Sequence, residues 1–135
     1  MAYYLCQNKP VVTNTALWTN GNPSSDQGAT SVTLSQSMAN FDYLEVLWKF
    51  NTSSTYYYKA YISTSEFRNG TYGSIPAGRF VVGYIGESYR YARWLSRNSD
   101  TSVGISTCFR CTSSASTTKN DNIIIYQIRG IKYAT

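Results

Sequence analysis

The chain is 135 residues long, 42% hydrophobic and 16% aromatic, which suits one domain with its own core and is too short for a multi-domain machine. Charged residues are only 14% and the formal net charge is +5, a balance that leans toward anionic partners without naming one. There is no histidine, which removes imidazole acid–base chemistry, Ser-His-Asp and Cys-His nucleophiles and the usual His-bearing zinc sites.

The carboxylates Asp26, Asp42, Glu45, Glu66, Glu87, Asp100 and Asp121 are scattered along the chain. Cys6, Cys108 and Cys111 form an odd set, whereas a secreted disulfide framework is normally even, so they read as reduced structural thiols. Cys108 and Cys111 have CxxC spacing but lie in a β-rich stretch, not at the helix start that activates redox thiols. No cofactor, no metal and no enzymatic activity are expected. The opening residues lack a basic segment followed by an apolar core, and nowhere do about 18 apolar residues run together, so export by that route and membrane insertion are not expected.

Residues 1–15 read as a connector or short first strand, and 16–135 as a single domain. Residues 16–19 and 31–34 are short edge or connecting strands, separated by breaker-rich sequence from Asn20 to Gly28. Residues 42–50 alternate with period two: Leu44, Val46, Trp48 and Phe50 on one side, Tyr43, Glu45, Leu47 and Lys49 on the other. A short polar link to 56–64 predicts a hairpin. Asn69-Gly70 and the stretch 74–78 mark turns. Residues 79–85 and 88–97 form a second hairpin around Gly86-Glu87, and 103–111 one further strand. The polar stretch 112–122 reads as a surface loop. Residues 123–131 are apolar on both faces, which predicts a central strand. No window carries helical periodicity. About seven or eight strands at this spacing predict an all-β fold, an antiparallel, jelly-roll-like β-sandwich.

The segments Leu17-Trp18-Thr-Asn-Gly-Asn-Pro23, Gly28-Ala-Thr-Ser-Val-Thr-Leu34 and Phe41-Asp-Tyr-Leu-Glu-Val46, with the ending Ile125-Tyr-Gln-Ile-Arg-Gly-Ile-Lys132, resemble the C-terminal tip domains of tailed-bacteriophage tail fibres, or receptor-binding proteins. The resemblance implies a compact β-sandwich displayed on the virion tail after synthesis in the bacterial host cytoplasm. It also implies a homo-oligomer, commonly a trimer, that recognises a glycan or protein receptor on the bacterial surface. Those positions are framework in the family, so no binding residue is carried over. The short stretch before the first matched strand implies either a fibre fragment or a small stand-alone tail component.

Rings with polar tips suit a sugar-binding face, and Tyr57, Tyr61, Tyr89, Tyr91, Arg93 and Trp94 are the candidate ligand contacts. Alternation puts Tyr57 with Tyr61 on one side of their strand, and Tyr89, Tyr91 and Arg93 together opposite Arg90 and Trp94. The competing structural reading is that one face of each set is core or subunit contact, as in a decoration or tail-assembly protein. The lesser alternative is single-stranded nucleic acid, tracked by Arg90, Arg93, Arg97 and Arg110 among aromatic rings. A glycosidase pair of Asp42 with Glu45 or Glu87 is disfavoured, because Asp42 and Glu45 fall on opposite faces of a strand.

Overall fold

A computed structural model describes residues 10–69, 79–85 and 89–134, with only the backbone of residues 84 and 85. The strands run in chain order as β1 (Val11–Thr19), β2 (Thr30–Thr33), β3 (Tyr43–Asn51), β4 (Tyr58–Ser63), β5 (Arg79–Ile85), β6 (Arg90–Ser99), β7 (Ser102–Ile105), β8 (Phe109–Cys111), β9 (Ser116–Thr118) and β10 (Asn122–Tyr133). Among the described residues one helix, α1 (Thr64–Asn69), follows β4, and one 3-10 turn covers Met38–Asn40. The first sheet has the order β1-β10-β3-β4; the second runs β2-β7-β6-β8-β9, with β5 also paired to β6. All these pairings are antiparallel, so the chain is an all-β sandwich of two sheets.

Both expected hairpins are present, as β3 with β4 and β5 with β6. Residues 11–15, left open between connector and strand, are the first half of β1 and pair with the end of β10. The single strand expected over 103–111 is instead two. Its first part, β7, pairs with one half of β6, and its second, β8, with the other half. Between them Ser106 turns the chain, its N–H donating to the Trp94 carbonyl and its hydroxyl accepting from the Trp94 N–H. The expected loop 112–122 contains β9, which pairs with β8. The Asn-Gly turn, the 74–78 turn, the Gly86-Glu87 turn and Cys6 lie outside the described residues.

Strand β10 lies between β1 and β3, and its apolar residues Ile123, Ile124, Ile125, Ile128 and Ile131 are all buried there. Ile123, Ile125 and Ile128 face the second sheet, in a core with Leu44, Val46, Leu95, Val103 and Ile105. Gly130 continues this inner row, and a Cβ there would fall 2.6 Å from ring atoms of Phe41. The ring can lie on the strand only because that side chain is missing. Irregularities in register tune the faces. On β1 the register skips Leu17, which reaches the core while Trp18 packs beside it. On β10 it skips Tyr126 against β3, a bulge that gives that residue no cross-strand partner there.

The corners are fastened by polar groups. The Gln27 side chain donates to the Ile125 carbonyl and accepts from the Ile125 N–H, as a neighbouring strand would. At the other end, Asp100 accepts from both Arg68 of α1 and Arg97 of β6, with closest distances of 2.8 and 3.0 Å. These guanidinium hydrogen bonds, Arg68 first, hold its carboxyl below the usual carboxylate range. The Asp42 carboxylate accepts from the Tyr133 N–H.

Candidate functional site

The six candidate contacts go to separate places. Tyr91, Arg93 and Leu95 alternate on β6 and all point into the sandwich. The expected shared side of Tyr91 and Arg93 therefore exists, but it faces inward, and neither is a surface contact. Tyr91 meets Phe50 edge-on at 5.4 Å, and Tyr89, at the rim, leans on Tyr91 at 5.2 Å. Trp94 is on the outer face of the second sheet, stacked with Phe109 at 5.6 Å and beneath the Arg79 guanidinium at 5.4 Å. Only Tyr57 and Tyr61 share one outer surface, that of the first sheet.

Arg93 is 0% exposed, and its guanidinium donates to the carbonyls of Ser106 (2.6 Å), Asn122 (3.3 Å) and Asn120 (3.5 Å). These carbonyls take over the role of water around the cation, which is how a charge survives inside a core. Burial lowers its pKa from the ordinary arginine value, and burial pushes the neighbouring Cys108 thiol up to about 11. Cys108 and Cys111 are free thiols. Ile123, just beyond the carbonyls that Arg93 holds, has φ 47, a backbone conformation costly for a β-branched residue and kept by its surroundings. Arg97 is engaged by Asp100, Arg93 is enclosed and Arg90 is exposed at the start of β6, so the arginine set considered for nucleic acid is not gathered on one free surface.

Across the outer face of the first sheet runs a row with one side chain from each strand. Arg129 donates to Asn14 and Gln127 and stands 3.9 Å from Glu45, which accepts from the Tyr61 hydroxyl at 2.7 Å. Glu45 is only 4% exposed, shielded by these two partners. Burial, and then the Glu45 carboxylate, push the Tyr61 phenol up to about 12. Tyr61 is thus committed to a neighbour within the sheet.

Beyond this row the β3–β4 connection folds over the sheet and leaves an open groove of about 470 Å³, lined by Pro23, Ser24, Lys49, Thr52, Ser53, Ser54, Thr55 and Tyr57. The Asn51 side chain accepts from the N–H and hydroxyl of the lining residue Ser53, both at 3.0 Å. The Tyr57 ring is 43% exposed and leans on Tyr126, the bulged residue of β10, at 4.7 Å. Lys49 is 3% exposed, and its ammonium donates to the carbonyls of Thr52 (3.0 Å) and Ser54 (3.4 Å). Alternation places Lys49 on the outer side of β3, but nothing local says that residues 52–55 return to enclose it. Lys49, the hydroxyl residues and Tyr126 were therefore missed as site residues. No family model matches the chain, and no curated protein matches it.

Proposed function

We propose that the chain is a non-enzymatic binding module from the tip of a phage tail fibre, which recognises a bacterial surface glycan in the groove beside Tyr57. One arrangement carries the reading: a half-exposed ring, braced by a second ring, forms the wall of a groove otherwise lined mainly by hydroxyl side chains. A pyranose offers an apolar C–H face and a rim of hydroxyls. The ring covers the first and the Ser/Thr groups satisfy the second. A braced ring has less freedom to lose on binding. The resemblance at the two ends of the chain supports the setting on a virion and assembly as a homo-oligomer, commonly a trimer.

The test is binding to bacterial cells and to a glycan array by the native protein and Tyr57→Ala. Loss of the stacked ring is expected to weaken binding by up to about tenfold, roughly 0.5–1.5 kcal/mol, with unchanged thermal unfolding. Undiminished binding removes the groove from the function. A second reading, a tail-assembly protein, is favoured by the outer face of the second sheet, where Val81 is 49% exposed near the Trp94–Phe109 stack. Light scattering distinguishes the two faces: a Trp94→Ala variant that dissociates the oligomer makes that sheet a subunit contact.

A further inference from the structure

We infer that the saccharide bound in this groove is acidic, its carboxylate meeting the Lys49 ammonium while a sugar ring lies on Tyr57. The inference rests on the glycan reading of the groove and adds the ligand's charge. Lys49 is almost fully enclosed, and enclosing an ammonium is costly unless its protons are bonded. An ammonium has three donors, and two carbonyls, both from residues of the groove wall, accept from it. Among the described residues the ion pairs engage Arg68, Arg97 and Arg129, and none engages Lys49. One donor and the formal charge therefore remain, on a side chain enclosed enough that its attraction to an anion exceeds that in bulk solvent. A lone point charge with a single spare donor suits one carboxylate oxygen. A phosphate or sulfate group is more often met by several donors or a guanidinium fork. Ser24, Ser53 and Thr55, on the same wall, supply hydroxyl partners for the rest of the sugar. The net charge of +5 steers an anionic polysaccharide toward the molecule.

The test uses the native protein and trisaccharides in matched pairs, each a uronic acid and its carboxyl-reduced neutral hexose, followed by titration calorimetry at several salt concentrations. The acid is expected to bind about tenfold or more tightly at low salt, a charge-assisted bond's worth, with the preference shrinking as salt rises. Lys49→Met should erase the preference between the members of a pair, whereas Tyr57→Ala weakens both. Equal affinity of the native protein for both members overturns the inference and leaves a neutral-glycan site standing. A preference unchanged in folded Lys49→Met also overturns it. Should the native protein bind no pair, the inference fails, and the cell-binding comparison with Tyr57→Ala decides separately whether the glycan reading fails too. Should Lys49→Met not fold, the paired titrations of the native protein alone give the answer.

Discussion

Arg93 and Lys49 are both basic residues within strands, both almost wholly enclosed, and both held by backbone carbonyls instead of carboxylates. Each also has donor capacity left over: Nε of Arg93 is buried without a hydrogen-bond partner, and Lys49 donates two bonds out of three. What separates them is access. Arg93 sits between the sheets and joins the Ser106 turn to the entry of β10, so its charge is a tie. Lys49 sits on the outer side of β3 in the wall of an open groove. Enclosure of a charge is therefore not by itself a mark of function; what sets Lys49 apart is its place in the wall of a groove.

The contrast can be broken first at Arg93. Arg93→Met leaves the carbonyls of Ser106, Asn120 and Asn122 without that donor and should cost about 3 kcal/mol in chemical denaturation; a loss under about 1 kcal/mol would mean the tie is dispensable. Next, Gly130→Ala forces a methyl into the Phe41 ring, and overpacking of this kind should cost about 2 kcal/mol, measured the same way. On the outer face the effects shrink. Tyr61→Phe removes the bond to Glu45 at about 1 kcal/mol, and it also changes the response to alkali. The folded phenol is raised to about 12, so its contribution is fully present below about pH 10, the unfolded value, and is lost as pH climbs through 12. The native protein should lose stability over that interval more steeply than Tyr61→Phe. Smallest is Lys49→Met, expected to change stability by less than about 1 kcal/mol, because its carbonyl partners border the open groove and can turn to water.

Period-two alternation makes β3 legible in the sequence, and apolar residues on both faces do the same for the central place of β10. Helix α1 was not legible: six residues make fewer than two turns, and its core contact comes essentially from Phe67, too little for a helical period to register. The break between β7 and β8 depends on Ser106 and on what lies across from it in β6, which no local window contains. At the candidate site, the parity of Tyr91 and Arg93 was readable but its sign was not. Arginine on the inner face is possible only because carbonyls distant in sequence converge on it. Tyr57 was found from composition, while Lys49 required knowing that 52–55 fold back over the sheet.

The amide of Gln27 has a consequence for how this molecule meets others. Strand β1 ends at Thr19, and beyond it the backbone of β10 would present a vacant rung to any extended peptide that drifted past. The Gln27 side chain, reaching from a residue 98 positions away, occupies both the donor and the acceptor of Ile125, and the Asn20 side chain shares the acceptor. The rung is thereby blocked by a group that cannot itself be extended into a further strand, so when many copies are crowded side by side, growth by edge-to-edge stacking stops at this corner.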